Sequence, residues 1–283
     1  MHILLRITAL KRRTRTSCIL ACHNGKELLT MKREYYTHHS NCLNREMHIL
    51  IHGEKGLPLL VFPTQDSTCT NFEDFGMIAT ISDFIDRGDV MVFTVDTVDK
   101  ESWSDLYGDK ARRGDVQENY YHYIVDEVIP FIAERNTSGK LPIAVGCSMG
   151  AMHAGIVALR RPDLFGGCIA MSGIYDASYF TGGWMNSKWY DNSPCHFLQN
   201  MPADHHYIRL YNERALIFCV GQGAWEQDGV RTLLIMASIF QNKGIHAWCD
   251  FWGYDVSHDW DWWKKQIRYF LPKILDGSAI GNK

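Results

Sequence analysis

The chain has 283 residues, of which 46% are hydrophobic and 22% charged, a composition that excludes disorder as the organising state and supports one enzyme-sized core. Its formal net charge of -3, with acidic and basic residues interspersed, leaves no electrostatic footprint for nucleic acid or an anionic membrane and points to a small or neutral substrate. No run of about 18 apolar residues occurs, so no transmembrane helix is expected.

Residues 1–30 stand apart. They carry Arg6, Lys11, Arg12, Arg13 and Arg15 with no acidic residue before Glu27, yet lack the apolar stretch and small-residue cleavage site of a secretory signal. They are read as an upstream extension or disordered tail, and residues 31–283 as one domain. The nine cysteines are odd in number, widely spaced and often inside apolar runs, as Cys219 is. Reduced, buried thiols have this pattern, and a cytoplasmic setting follows.

From residue 33 onward short apolar runs alternate with longer amphipathic segments, the signature of a mainly parallel sheet covered by helices. A first strand is placed around Glu34 to His38, then strands at Met47 to His52 and Leu57 to Phe62, a helix at Gly76 to Asp86 and a strand at Val90 to Val95. In the helix expected over Gln117 to Glu134, Tyr120, Ile124, Val125, Val128, Ile129 and Ile132 form the buried stripe. A strand at Leu141 to Val145 leads into a helix at Ala151 to Arg161, which Pro162 stops, and a strand follows at Gly167 to Met171. The stretch Tyr175 to Arg214 has no long periodic element and is rich in aromatic residues. It reads as an insertion over the carboxyl edge of the sheet, where open α/β folds bind their ligands. A strand at Ala215 to Val220, a helix at Val230 to Asn242, a strand at Ala247 to Trp252 and a helix at Asp259 to Leu275 complete the chain.

The pentapeptide Gly146-Cys147-Ser148-Met149-Gly150 lies between an expected strand and an expected helix. That is the setting of a nucleophile elbow, a tight turn that lifts a serine hydroxyl clear of the backbone. Glycine at both ends fits, because side chains there would collide with neighbouring backbone. The competing reading makes Ser148 a helix cap. A serine hydroxyl needs a base within hydrogen-bond reach and an acid to orient that base. In the chain order serine, acid, histidine, His258 follows the last expected strand and precedes the last helix. The loop after Ala215 to Val220 offers Glu226 and Asp228; Glu226 is preferred, with Asp228 the alternative. Backbone N–H groups of Met149 and Gln65 are the expected oxyanion donors. Trp103, Tyr107, Trp184 and Trp189 are candidates for lining the cleft, with packing in the core or a lid the alternative for each.

Two other chemistries have weaker signals. Gly221-Gln222-Gly223 follows an apolar run, but the third glycine of a dinucleotide fingerprint would fall on Glu226, and the unit does not open a βαβ motif. His38-His39 and His205-His206 raise a metal site, yet adjacent histidines point in different directions and no ligand spacing supports them. A hydrolase fold reduced to a binding module is the non-enzymatic alternative.

Four stretches resemble the putative-esterase family of α/β-hydrolases, which includes S-formylglutathione hydrolases, feruloyl esterases, enterochelin esterases and mycolyltransferases. They are Leu60-Val61-Phe62-Pro63-Thr64, the segment Tyr123 to Ile132, the elbow at Ser148, and Ser257-His258-Asp259-Trp260 followed by Trp263. The resemblance runs from about Lys32 to Leu275. It implies an α/β-hydrolase fold, Ser148 as the acylated serine, His258 as general base, Glu226 in the acid position, and acyl chemistry on a small-molecule ester without metal or organic cofactor. Which ester, hydrolysis or acyl transfer, and the oligomeric state are not legible.

Overall fold

The computed structural model describes residues 31–281 and the backbone of residues 13–16. Two kinds of strand build the sheet. In β2 (Arg33–Ser40) and β3 (Arg45–His52) buried and exposed positions mix, and the two pair as an antiparallel hairpin. By contrast β4 (Leu57–Phe62), β5 (Val90–Val95), β6 (Ile143–Cys147), β7 (Gly167–Met171) and β8 (Ala215–Val220) are buried at every position. Strands covered on both faces read as continuous apolar runs, which is why the bounds of β4, β5, β7 and β8 were readable. With β1 (Arg13–Thr16) and β9 (Trp248–Phe251) the order is β1-β2-β3-β5-β4-β6-β7-β8-β9. The strands from β5 through β9 run parallel, and β1, β2 and β3 are antiparallel at one edge. Apart from β1, the expected extension over residues 1–30 lies outside the described residues.

Successive strand residues feed two cores. Leu60, Phe62, Ala144 and Phe218 face the helices at 110–135, Met149–Arg160 and Gln227–Lys243. Leu59, Val61, Val145 and Ile217 face the short helices at 71–86 and the last helix, Trp260–Leu275. The chain leaves β4 toward β5 and returns to place β6 on the other side of β4. The crevice outside the carboxyl ends of β4 and β6 is therefore the topological switch point, where ligands bind in folds of this kind.

Four differences from the expected elements have local causes. Helix Gly76 to Asp86 is broken into Met77–Thr80 and Ser82–Asp86, with a non-helical Ile81 between them. The helix expected from Gln117 begins at Lys110, where Asp109 accepts the Arg112 N–H as its cap. It widens into π-turns over Tyr123–Val128 before resuming at Ile129–Arg135, because Pro130 lacks an N–H and its ring crowds the carbonyl four residues back. Strand β6 runs from Ile143 to Cys147 rather than from Leu141 to Val145, and Gly146 and Cys147 still pair with Ala170 and Met171. Over residues 175–214 the chain makes four short helices, Ser178–Thr181, Ser187–Asp191, Pro194–Asn200 and His206–Asn212. Among the described residues no helix is long and apolar enough to cross a membrane.

Arg113 fastens this segment to the domain. Its fully buried guanidinium donates to the carbonyls of Ser102, Trp103 and Phe180 at 2.7, 3.2 and 3.1 Å and lies over the Trp189 ring. Burial lowers its pKa from the usual arginine value. A charged donor shared by three carbonyls is expected to contribute about 2 kcal/mol or more. Arg113→Met should lower the urea midpoint accordingly with an unchanged m-value; an unaltered midpoint would show that the segment is held by other contacts.

Candidate active site

The site starts from backbone strain. Ser148 has φ 56° and ψ -123°, a region that non-glycine residues rarely enter. Its N–H is tied to the Met171 carbonyl at 2.9 Å, and its own carbonyl accepts from Ala151 at 3.0 Å. A Cβ on Gly146 would lie 2.2 Å from the Gly150 carbonyl, and one on Gly150 would lie 2.3 Å from the Phe62 carbonyl. Both separations are impossible for real side chains, so helix, β4 and elbow close on each other only through glycine. The Ser148 side chain makes no cap hydrogen bond; its hydroxyl faces the crevice. Neighbouring Cys147 is buried in the sheet, where desolvation pushes its thiol well above its ordinary pKa and keeps it protonated.

His258 arrives on the loop after β9. Its Nε2 lies 2.8 Å from Ser148 Oγ and its Nδ1 lies 3.2 Å from Glu226 Oε2. Glu226, only 1% exposed, precedes the helix Gln227–Lys243. Asp228 points elsewhere: it is half-exposed and lies 3.6 Å from Arg231. The glycine pair that raised a nucleotide fingerprint has another use here. Cβ atoms on Gly221 and Gly223 would stand 2.2 and 2.7 Å from the Val256 carbonyl. Bare backbone at those positions allows the Gly223 N–H to bond Val256 O at 2.8 Å, and the His258 N–H to bond Ala224 O at 3.0 Å. These contacts lace the loop of the acid to the loop of the histidine.

The expected oxyanion donors face the same place. Met149 and Gln65 both line a cavity of about 420 Å³ beside Ser148 and His258. Among the described residues neither of their N–H groups has a hydrogen-bond acceptor. The expected aromatic lining needs correction. Trp103 and Trp189 are buried behind the elbow helix and pack edge to face at 4.7 Å, with the Trp189 indole N–H given to Lys110 O at 2.7 Å. Tyr107 projects fully into solvent, and Trp184, partly exposed, is also outside the cavity. Its wall is Met149, Met152, Ile174, Tyr179 and Phe180, with exposed Trp225 at the mouth. The insertion does contribute, through Tyr179 and Phe180.

One histidine of each adjacent pair has a structural contact. His38 is stacked between Tyr36 and Tyr123, where burial lowers its pKa, and His205 caps a helix by accepting the Tyr207 N–H. One polar residue of the site was not anticipated. Ser172, buried at the end of β7, contacts Glu226. The signal available was positional: a serine directly after an apolar strand lying between the strands that lead to Ser148 and Glu226.

A family model described as "Putative esterase" matches residues 40–274. The chain belongs to this esterase family. It is therefore an enzyme, and its reaction class is ester hydrolysis. Solved structures similar to this esterase include a ferulic acid esterase with a TM-score of 0.68 and 17% identity, covering 87% of this chain and 98% of that one. An S-formylglutathione hydrolase from Agrobacterium tumefaciens aligns with a TM-score of 0.64 at 16% identity over 88% of this chain and 95% of its own. MPT51 (FbpC1) from Mycobacterium tuberculosis aligns with a TM-score of 0.64 at 15% identity over 85% of this chain and 96% of its own. These likenesses establish the α/β-hydrolase fold. No curated protein matches the esterase.

The lacing of the two loops makes a prediction. In Gly223→Val the new side chain meets the Val256 carbonyl and displaces His258, and an error of about 1 Å in a reacting group costs on the order of 100-fold. Esterase kcat/KM should fall by that order while far-ultraviolet circular dichroism is retained. Full activity would mean that His258 is placed independently of this contact.

Proposed function

We propose that Ser148, His258 and Glu226 act as a catalytic triad that hydrolyses a carboxylic ester through an acyl-enzyme. The observation that carries this reading is the unbroken chain of contacts from a strained, cavity-facing serine through His258 to a buried carboxylate. His258 Nε2 takes the Ser148 proton as Oγ attacks the ester carbonyl, and Glu226 holds the Nδ1–H and stabilises the imidazolium that forms. The N–H groups of Met149 and Gln65 hold the oxyanion of the tetrahedral intermediate. The imidazolium then gives its proton to the departing alcohol. Water attacks the acyl-enzyme with His258 again as base, releasing the acid and restoring Ser148. Asp228 has no part in the proton path and sits at the cavity rim.

The cavity favours an uncharged acyl group. Apolar and aromatic side chains share its wall with the uncharged polar Gln65, Ser172 and Gln227, and its carboxylates are Glu226 and Asp228, with no lysine or arginine among the described lining residues. An anionic acyl group would be desolvated there without a cationic partner. A cytoplasmic location is supported by thiols such as Cys147, Cys168 and Cys219, free and buried in the sheet.

Turnover of p-nitrophenyl butyrate and labelling by a fluorophosphonate probe test the assignment. Ser148→Ala should lose both, with kcat down roughly 10,000-fold or more, while Asp228→Asn keeps both. Labelling that survives in Ser148→Ala, or a folded wild type that is never labelled, would contradict it.

A further inference from the structure

We propose that Ser172 and Trp263 are positioning residues that set the orientation of the acid, a role resting on Glu226 being the triad carboxylate. Trp263 lies in the first turn of the last helix, and its Nε1–H is 3.0 Å from Ser172 Oγ. An indole N–H only donates, so Ser172 Oγ accepts there. The serine's single proton is then directed to Glu226 Oε1, 2.5 Å away. That leaves Oε2 to accept the His258 Nδ1–H at 3.2 Å. With Nδ1 carrying the proton, Nε2 presents its lone pair to Ser148. One fixed donor thus determines every proton position back to the nucleophile. The same indole meets the His258 ring edge to face at 4.9 Å and 83°, so it constrains the base directly as well.

Backbone conformation supports this reading independently. Ser172 has φ 62°, in the left-handed region, where glycine is the least costly residue. Its N–H is held by the Cys219 carbonyl at 2.7 Å on the neighbouring strand. A side chain retained at such a position is accounted for by what its hydroxyl does. A carboxylate that is 1% exposed needs donors on both oxygens, and without Ser172 one oxygen of Glu226 loses its protein donor.

The test is a kinetic cycle on the full-length enzyme with p-nitrophenyl butyrate. Ser172→Ala and Ser172→Gly should each lower kcat by about 10- to 100-fold with little change in KM. Trp263→Phe, which keeps the ring and loses the N–H, should lower kcat by a smaller factor. Ser172→Gly relieves the backbone strain, so its Tm should be at least that of Ser172→Ala while its kcat is equally low. Recovery of wild-type kcat in Ser172→Gly would reduce Ser172 to a structural residue and overturn the proposal. In the Glu226→Gln background Ser172→Ala should cost little more, because both changes disable one unit. An equal loss in both backgrounds would likewise overturn it. If Glu226→Gln alone leaves kcat unchanged, the triad reading itself fails, and the positioning role with it.

Discussion

One contact holds the site together: the backbone of Gly221 and Gly223 lying against the carbonyl of Val256, at separations that any side chain would forbid. The loops after β8 and β9 are separate in sequence, and each brings one member of the proposed triad. With Gly223 and Val256 hydrogen-bonded at 2.8 Å, Glu226 and His258 come within 3.2 Å of each other. A similar closure on the other side, Gly150 against the end of β4, sets the height of Ser148. The geometry of the proposed triad is therefore largely backbone geometry, as preorganised chemistry requires.

Strain gathers at the same edge of the sheet. Ser148, Ser172 and Trp225 all have positive φ, and Asp66 has it on the loop that carries Gln65. Each such residue costs on the order of 1–3 kcal/mol and persists only where surrounding structure dictates it. The surroundings are two cores packed on opposite faces of strands buried at every position. A rigid parallel sheet holds four twisted residues around a single crevice.

What was legible in the amino-acid order follows from how locally each feature is specified. Strands such as Leu57–Phe62, Val90–Val95 and Ala215–Val220 announce themselves because both faces are apolar. The elbow was legible because its glycines are fixed by sterics within five residues. Aromatic residues were harder. The sequence leaves Trp189 open between cleft and core; Gly114 leaves room for its ring and Lys110 O satisfies its N–H, so it sinks into the core. Glu226 and Asp228 differ in placement: the first, directly after Trp225 with its φ of 67°, is buried, and the second is half-exposed beside Arg231. Ser172 depends on two neighbours, Glu226 and Trp263, that lie 54 and 91 residues away, and no local pattern encodes that.

The central claim is that Ser148 becomes covalently acylated. The most direct measurement is mass spectrometry of enzyme quenched during steady-state turnover of a slowly deacylating p-nitrophenyl ester. The account predicts a mass increment equal to one acyl group, localised by peptide mapping to Ser148 and absent in Ser148→Ala. An increment on another residue, or turnover with none in a slow-deacylating substrate, would contradict it.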